Sequence, residues 1–528
     1  MTRQPGGWTS AGAAQPLGAL GPLLLAVLAA AAGCAAQPLR FPAQPNAVSP
    51  TGAGRIESYD TDGNGKPDYF AAMNDKGRIV RIAYDTSGDG LPDTDIPLAG
   101  VNPDQCREVV IILDGVPFDL VEECYKAGLL RLFHPPVRVI APFPSVTDPS
   151  LADVFSTEPT TGFEAQFFDH KENRLGGGDA FYLATKNEPW APCLDYRAGT
   201  MLDALGYLQA DWAFNKEVAE FEKLFQKTEG RDLTVYFVST AGIGSREGAE
   251  GLRRVLQECD RLAKQLVWQT RGRVKITMLA DHGHTLERCE RIDFRKMIQE
   301  RGWHVADRLD GARDVVPIEY GLLTYASFAT LSKDALADDL LRHQGVAFVT
   351  YIQGQSVIVR TRDGIAFIEQ RGNRYRYRAM KGDPLDLQPI MNRLGAAGKL
   401  DRGGFADDAD WFALTTVHTY PDALDRLWRA FHGLTENTPD VIASLGAGYC
   451  AGAASKRAWL PYMASTHGDL GRSSSTTFIM STVGPMTGAP GRPPAWRSRQ
   501  VAELLTQAFG HPWPSRAAKE TEAAAPPR

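Results

Sequence analysis

The sequence predicts an α/β protein, a three-layer αβα sandwich whose mostly parallel, doubly wound sheet lies between two helical layers. The first observation is a series of nearly all-apolar runs of strand length: Glu108–Asp114, Leu233–Val238, Val274–Ala280 and Thr476–Ser481. Such runs are typical of strands buried on both faces. The second observation is the amphipathic helical stretch Gly248–Trp268 between two of these runs. Alternating strands and helices build parallel sheets, and ligands gather at the carboxyl ends of their strands.

The length of 528 residues exceeds one ordinary core, so we expect one large domain, residues 105–490, with smaller appendages. Residues 305–388 break the strand and helix rhythm with β-rich pieces, which predicts an inserted lid or subdomain. Residues 491–528 predict a C-terminal helix and a disordered tail. The 57 Lys and Arg residues against 63 Asp and Glu residues leave a net charge of -6. This balance argues against nucleic-acid binding by charge.

The N-terminal segment predicts export. Leu17–Gly33 is apolar, is interrupted by Gly and Pro, and ends in small residues, which is typical of a signal peptide over residues 1–33. A membrane-spanning helix needs roughly 20 apolar residues, so a retained anchor is the alternative. The segment Ala31-Ala-Gly-Cys34 resembles the bacterial lipoprotein cleavage box, which implies lipidation at Cys34 and a linker to residue 54. We expect a protein of the periplasm or cell surface, with an outer-membrane lipoprotein as the specific form and a lipid anchor as its only membrane contact.

Residues 55–98 contain an internal repeat, Tyr59–Asp68 and Tyr84–Asp93, and the alternating segments between the two copies predict a β-hairpin. Oxygen side chains at positions 1, 3, 5 and 9 of a Gly-containing loop wrap a hard cation such as Ca²⁺. The residues at these positions are Asp60, Asp62, Asn64 and Asp68 in the first loop, and Asp85, Ser87, Asp89 and Asp93 in the second. Neither loop has a Glu at position 12, so the loops are similar to short Asp-rich calcium repeats of extracellular proteins. Asx turns that bind nothing are the alternative.

Residues suited to metal chemistry flank the apolar runs. Metal-assisted phosphoryl transfer needs carboxylate and imidazole ligands from several strand ends, and a hydroxyl that the metal helps to deprotonate. Asp114 ends the first run, Asp281 and His282 follow the run that ends at Ala280, and His467 precedes the last run. These four side chains are therefore candidate ligands of a divalent metal.

A hydroxyl-rich loop supplies the candidate nucleophile. Thr147 lies in this loop where a helix is predicted to begin, with Pro149 suited to the first turn. At that location the amide donors and the helix dipole favour a phosphate group. Thr147 is therefore the hydroxyl that we expect to attack phosphorus, with an ordinary turn hydroxyl as the alternative.

In this order the pieces resemble the alkaline phosphatase superfamily, and within it the nucleotide pyrophosphatase/phosphodiesterase branch. That branch has a strand ending in Asp-Gly, a Thr-Phe-Pro-Asn loop, an Asp-His-Gly after a strand, and a later Thr-His-Gly. The resemblance spans about residues 109–481. It implies that Thr147 forms a covalent phospho-enzyme, that Asp114, Asp281, His282 and Thr147 hold one metal ion, and that His467 belongs to a second. Zn²⁺ or Mn²⁺ is the metal that we expect in this site.

The chain departs from the branch after Val238. There the branch carries Asp-x-x-Gly-His, which supplies two ligands of the second metal, whereas this chain has Ser239-Thr-Ala-Gly-Ile243. Ser150 also stands where the branch has an Asn that steadies the phosphate. A single metal ion, recruitment of His284 or Asp469, and an inactive protein are the alternatives that follow.

We therefore predict an exported, metal-dependent hydrolase of phosphate esters, of phosphodiesterase or phosphatase type. Its expected substrate is a small-molecule, glycan or lipid phosphoester. A sulfatase is disfavoured because the loop around Thr147 lacks the Cys/Ser-x-Pro-x-Arg pattern. The alternative from a different class is a catalytically degenerate surface binding module that carries calcium-binding repeats.

Overall fold

The structure is a computed structural model that describes residues 40–52, 54–179, 188–199, 206–457, 462–487 and 495–514. The chain divides into two compact units, Met1–Phe41 and Pro42–Arg528. Of the first unit only Arg40 and Phe41 are described, so the predicted signal peptide and Cys34 lie outside the described residues. Within the described ranges, no helix has the length and apolar character needed to cross a bilayer. All the elements that follow belong to the second unit.

Within the described ranges the strands are, in chain order, β1 (Ala47–Thr51), β2 (Gly54–Tyr59), β3 (Tyr69–Met73), β4 (Ile79–Tyr84), β5 (Ile96–Pro97), β6 (Arg107–Leu113), β7 (Val137–Ile140), β8 (Gln166–Asp169), β9 (Arg174–Gly177), β10 (Tyr196–Arg197), β11 (Leu233–Phe237), β12 (Val274–Ala280), β13 (Glu290–Arg291), β14 (His304–Val305), β15 (Asp314–Ile318), β16 (Tyr325–Thr330), β17 (Val346–Gln353), β18 (Ser356–Arg360), β19 (Ile365–Arg371), β20 (Arg374–Lys381), β21 (Ala406–Asp407), β22 (Val441–Leu445), β23 (Tyr449–Cys450), β24 (Thr476–Ser481) and β25 (Ala495–Arg497). The α-helices of the same ranges are α1 (Phe118–Lys126), α2 (Thr147–Phe155), α3 (Ala210–Lys227), α4 (Ser239–Thr270), α5 (Phe294–Gln299), α6 (Lys333–Leu340), α7 (Gln388–Ala396), α8 (Asp408–Thr415), α9 (Ala423–Arg429), α10 (Ala454–Arg457), α11 (Arg472–Ser475) and α12 (Val501–Phe509).

The N-terminal strands form an antiparallel sheet of their own, in the order β1-β2-β3-β4-β5. β3 and β4 pair as neighbours, and Tyr69 of β3 packs between the rings of Tyr59 and Tyr84. The Tyr84 hydroxyl donates a 2.7 Å hydrogen bond to the carbonyl of Trp268 in α4. The two predicted hairpin segments are thus the middle strands of a five-stranded sheet that packs against the main domain.

The main sheet has the strand order β10-β11-β6-β12-β24-β7-β25. β10, β11, β6 and β12 are parallel neighbours, and β7 and β25 are also parallel. β24, however, runs antiparallel to both β12 and β7. The prediction of a parallel strand over Thr476–Ser481 is therefore wrong in direction, because apolar composition reports burial on both faces but not strand direction. The predicted α/β class is confirmed.

Helices cover the main sheet because its strands are apolar on both faces. Val110 and Ile112 of β6 pack with Leu151 and Phe155 of α2 and with Leu505 of α12. α4 contacts both α1 and α3, and α3 and α4 also contact β11 and β12, respectively. α4 carries a kink at Gly248, where φ is 61°.

A second, nine-stranded sheet has the order β14-β15-β16-β22-β17-β18-β19-β20-β21. It runs from His304 to Leu445, further along the chain than the predicted subdomain of residues 305–388. The difference arises because β22, late in the chain, inserts between β16 and β17. Periodicity locates a strand but not its partner, so the sequence did not show that this strand belongs to the same sheet.

Candidate active site

The candidate site lies at the edge of the main sheet where parallel strands end. Leu113 of β6 is paired with Ala280 of β12. Asp114 and Asp281 follow these residues, so the parallel register places them side by side. β24 runs in the opposite direction, so the segment that precedes it and carries His467 lies at this same edge. The antiparallel strand thus explains how a residue before a strand joins residues that follow strands.

The two carboxylates face one imidazole. His282 Nε2 lies 3.5 Å from Asp114 Oδ1 and 3.5 Å from Asp281 Oδ2. Asp114 Oδ2 accepts a 2.5 Å hydrogen bond from the Tyr236 hydroxyl. Asp281 Oδ1 accepts the backbone N–H groups of Gly115 at 3.0 Å and His282 at 2.8 Å. Asp281 Oδ2 has no hydrogen-bond partner among the residues that the structure describes.

Asp281 is fully buried. Desolvation raises its pKa to about 7, although the neighbouring amide and hydroxyl groups act in the opposite direction. Burying a carboxylate costs several kcal/mol, at order of magnitude, unless a cation or hydrogen bonds compensate it. The unpartnered Oδ2 atom therefore marks a place where a bound cation would be stabilised.

The imidazoles of His282 and His467 are neutral rings in which Nδ1 carries the proton and Nε2 carries the lone pair. His282 Nδ1 is 2.9 Å from the carbonyl of Gly283, and His467 Nδ1 is 2.9 Å from the carbonyl of Ser145. A carbonyl only accepts, so each Nδ1 carries the proton and each neutral Nε2 is an acceptor. Burial lowers the pKa of His282 to about 4, and burial and then His282 lower that of His467. The two rings stack with centroids 3.9 Å apart.

Thr147 is the first residue of α2, and it is half-buried where the ligand side chains around it are buried. Val146 before it is extended, with φ -134° and ψ 160°, and Pro149 lies in the first turn, where its missing N–H costs no helical hydrogen bond. Thr147 Oγ1 lies 3.4 Å from His282 Nε2. The hydroxyl is therefore both next to the cluster and reachable from solvent at a helix N-terminus.

The donor set fits a divalent metal ion. Oxygen atoms of Asp114 and Asp281 and a nitrogen of His282 all lie within 4.8 Å of one another. Two carboxylates and one imidazole suit Zn²⁺ or Mn²⁺, and the Nδ1 contact of His282 is the outer hydrogen bond that metal-bound histidines usually make. These three residues, with Thr147 beside them, are the ones that would hold the ion.

The third strand end, after β11, is different. The Ser239 hydroxyl donates to the fully buried carboxylate of Glu217, which also accepts the N–H groups of Val238 and Ser239 at 3.1 Å. The Thr240 hydroxyl donates to the carbonyl of Asp114 at 2.7 Å. These groups have protein partners, and none of them is a carboxylate or imidazole directed at the site. The segment after Val238, which lacks the two metal ligands of the branch, thus has a structural role in this chain.

Sequence reasoning missed two residues that hold the site in place. Tyr236 donates to Asp114, and its position on β11 next to β6 was the available signal. Arg426 is buried and comes from α9; it donates to Ser145 Oγ at 3.0 Å and to Ser475 Oγ at 2.6 Å. It thereby fixes the loop whose carbonyl orients His467. No pattern in the sequence points to that role.

The predicted calcium loops fold as Asx turns. Asp60 accepts the N–H groups of Gly63, Asn64 and Gly65, and Asp85 accepts those of Ser87, Gly88 and Gly90. The acids at position 9 of the loops accept from Thr61 and Thr86, respectively. Among the described residues, the acidic side chains of neither loop bring three ligand atoms within 4.8 Å. Calcium binding stays a prediction.

Comparison with known proteins gives structural likenesses only. No protein-family model matches this chain, and no curated protein sequence is significantly similar to it. Murine ectonucleotide pyrophosphatase/phosphodiesterase 5 is similar in structure, with 12% identity, a TM-score of 0.41, and coverage of 77% of this chain and 95% of that chain. Phosphonoacetate hydrolase from Sinorhizobium meliloti, in complex with phosphonoformate, has 12% identity, a TM-score of 0.42, and coverage of 80% and 97%.

The human ectonucleotide pyrophosphatase/phosphodiesterase 5 gives a TM-score of 0.39 at 11% identity, over 77% of this chain and 95% of that chain. Likenesses of this size leave the activity, the metal and the substrate to be argued from the residues of this chain.

Proposed function

We propose that the protein is a metal-dependent hydrolase of phosphate esters in which Thr147 is the nucleophile. The observation that carries this proposal is that Thr147 Oγ1 lies 3.4 Å from His282 Nε2, which is itself 3.5 Å from both Asp114 and Asp281. A hydroxyl beside a compact carboxylate and imidazole set at a strand edge is suited to attack phosphorus. In an ordinary core, the buried carboxylates beside His282 would destabilise the folded protein, because no cation would compensate their charge.

A divalent cation held by Asp114, Asp281 and His282 would lower the pKa of the Thr147 hydroxyl and withdraw charge from the phosphate. Thr147 attacks phosphorus: its Oγ–P bond forms, the bond from phosphorus to the leaving oxygen breaks, and the leaving oxygen takes up a proton to depart as an alcohol. A water molecule then attacks the phosphothreonine, which releases phosphate or a phosphomonoester and restores the Thr147 hydroxyl. The Thr147 hydroxyl proton passes to water as its oxygen attacks, because His282 Nε2, 3.4 Å from Thr147 Oγ1, is the atom that would bind the cation.

The start of α2 supports the phosphate during these steps. Thr147 is the first helical residue, so the first backbone N–H groups of the helix point towards the ester, and the helix dipole favours its negative charge. Ser150, which stands where the branch has an Asn, is fully buried, and its Oγ has no hydrogen-bond partner among the described residues. The helix end and the metal site are therefore the groups to which we assign phosphate binding.

The experiment that tests this function compares purified full-length protein with Thr147→Ala, measuring metal content and turnover of bis-p-nitrophenyl phosphate and p-nitrophenyl phosphate. We expect turnover that needs added Zn²⁺ or Mn²⁺ and falls by at least about 1,000-fold in Thr147→Ala. Thr147→Ser should retain part of the activity. Thr157→Ala is the matched control, because its hydroxyl has only a 3.4 Å contact with the next carbonyl at the other end of the helix.

Equal rates in the protein and in Thr147→Ala would remove Thr147 from the mechanism. Metal binding without turnover of any phosphate ester would support the binding module instead. The proposal extends to an exported protein acting on a small-molecule, glycan or lipid phosphoester. Cys34 as a lipid anchor and the Asp-rich loops as calcium sites belong to the same proposal, supported by the sequence motifs.

A further inference from the structure

His284 is a third buried imidazole at the candidate site, two residues beyond His282. Its side chain is fully buried. Its ring centroid lies 5.2 Å from that of His467. Its Nδ1 lies 2.7 Å from Ser465 Oγ, and the N–H of Leu286 donates to the same oxygen at 2.9 Å. Its Nε2 has no hydrogen-bond partner among the described residues.

Two glycines make room for this ring. A Cβ atom at position 115 would lie 2.6 Å from His284 Cδ2 and 2.9 Å from His284 Nε2, and one at position 244 would lie 3.3 Å from Nε2. Real Cβ contacts below 3.0 Å are essentially never seen. The unpartnered nitrogen therefore adjoins the glycine that follows Asp114, and Gly244 stands just after the Ser239–Ile243 segment that lacks ligands.

The three imidazoles share one arrangement. Each Nδ1 contacts a protein oxygen: the carbonyl of Gly283 for His282, the hydroxyl of Ser465 for His284, and the carbonyl of Ser145 for His467. For His282 and His467 the carbonyl can only accept, so Nδ1 carries the proton and Nε2 is the coordinating atom. For His284 the Ser465 hydroxyl can accept or donate, and Nε2 is the coordinating atom when that hydroxyl accepts from Nδ1–H.

Asp469, the other residue that the sequence offered as a replacement ligand, is already occupied. Its Oδ2 accepts the Thr324 hydroxyl at 2.6 Å, and its Oδ1 accepts the N–H of Gly471 at 2.7 Å. The Gly471 bond closes a local turn before β24, and the Thr324 bond ties this turn to the residue before β16. Of these two candidate replacements, His284 is the one that is fully buried with a coordinating atom that has no partner among the described residues.

We infer that His284 and His467 are protein ligands of a second divalent ion, and that His284 takes over from the ligands absent after Val238. This inference rests on the proposed function. An imidazole pair selects borderline metals such as Zn²⁺ or Co²⁺ over Mg²⁺ and Ca²⁺, which prefer oxygen. The second ion is thereby built from one loop, Asp281–His284, and the segment before β24, with no ligand from β11.

The test counts bound metal in the full-length protein after chelation and titration with Zn²⁺ or Co²⁺. We expect two equivalents in the unchanged protein and one equivalent in His284→Asn. Asn places an amide near the Nδ1 position, so the contact with Ser465 is kept while the Nε2 atom is removed. His432→Asn, at an exposed histidine bonded to the carbonyl of Trp428, is the matched control and should keep two equivalents.

Two equivalents in His284→Asn, or one equivalent in the unchanged protein, would overturn the inference. If His284→Asn does not fold, X-ray absorption of the unchanged protein loaded with Zn²⁺ decides the matter: three imidazoles over two ions are expected, and two imidazoles would contradict it. Metal stoichiometry and Thr147-dependent turnover are separate readouts. One bound metal ion together with turnover that depends on Thr147 would contradict only this inference. Two bound metal ions with turnover that does not depend on Thr147 would contradict only the proposed mechanism.

Discussion

The strands β11 and β12 end at the same edge of the main sheet, and both ends carry buried polar residues, but only the end of β12 leaves one of these polar atoms without a partner among the described residues. After β12, Asp281 is fully buried with one oxygen unpartnered, and it shares His282 with Asp114. After β11, the Ser239 hydroxyl and two backbone N–H groups satisfy the carboxylate of Glu217. Topology alone therefore does not make a strand end functional. What separates the two ends is whether the buried polar atoms have protein partners.

The same criterion separates the site from the Asp-rich loops. Asp60 and Asp85 each accept three backbone N–H groups from their own loops, and both are only half-buried, so water also solvates their carboxylates. Such an acid costs little with or without a cation. At Asp281 the surroundings supply amides to one oxygen only, so a cation changes the energy of the folded state far more.

The largest expected effect is that of Asp281→Asn. It should lower metal-dependent turnover by about 1,000-fold, equivalent to about 4 kcal/mol of transition-state stabilisation, because one ligand and its charge are lost. Metal content should fall by about one equivalent. Without metal, the variant should be at least as stable as the unchanged protein at pH 8, because the amide is not an uncompensated buried charge.

Chemical denaturation of both metal-free proteins, together with metal analysis, checks this prediction. A marked loss of metal-free stability in Asp281→Asn would show that the carboxylate has a structural partner. That result would erase the distinction between the two strand ends.

Much of the site was predictable because strand-length apolar runs locate strand ends, and parallel register brings the following residues together. Asp114, Asp281 and His282 were predicted in this way, and Thr147 was predicted from the loop at the start of a helix. The structure brings these four residues together with His467. His467 was predicted as a site residue from its sequence motif. The antiparallel direction of β24, which explains how His467 comes to lie at the site, was not predicted. Strand direction depends on connections that composition does not encode.

The supporting residues were beyond prediction for a different reason. Arg426 bonds Ser145, which is 281 residues away in the chain, and Glu217 bonds Ser239 from a helix that packs beside β11. Neither residue lies in a pattern, because its role depends on which atoms another element leaves without a partner. The size of the second sheet was missed similarly, since β22 joins it from a late part of the chain.

Gly115→Ala should have the next largest effect. At φ 67° an alanine is strained by about 1 kcal/mol, and its Cβ would also meet His284, so we expect a loss of about 2–4 kcal/mol of unfolding free energy together with lower metal affinity. Gly63→Ala is the matched control, with φ 76° and no atom within 4 Å of its Cβ. It should lose about 1 kcal/mol and keep its metal. Similar losses in both variants, measured by denaturation, would mean that the ring of His284 moves aside freely.

Ser239→Ala should have a smaller effect, confined to stability. Glu217 loses one hydroxyl donor but keeps the two backbone N–H groups, so we expect a loss of about 1–2 kcal/mol. Metal content should be unchanged, and turnover should stay within about 3-fold, an effect of less than about 1 kcal/mol on the barrier. Loss of a metal equivalent in this variant would show that Ser239 belongs to the metal site. The end of β11 would then be functional, like the end of β12.

The smallest expected effect concerns Glu164, half-buried in the loop after the Pro159–Gly162 segment. Desolvation raises its pKa to about 7, with the N–H of Gly321 opposing and Asp148 adding to the shift. The unfolded chain releases this proton near its ordinary value while the folded chain keeps it, so this contribution to stability falls as pH rises from about 4.5 to about 7. Glu164→Gln stays neutral, so the Tm of the variant minus that of the unchanged protein should grow from pH 5 to pH 8. Glu158→Gln, at an exposed position, is the control, and its Tm difference should stay constant with pH. A constant difference in Glu164→Gln as well would show that desolvation of a carboxylate near the site has no measurable cost in stability. The energetic argument made for Asp281 would then fail.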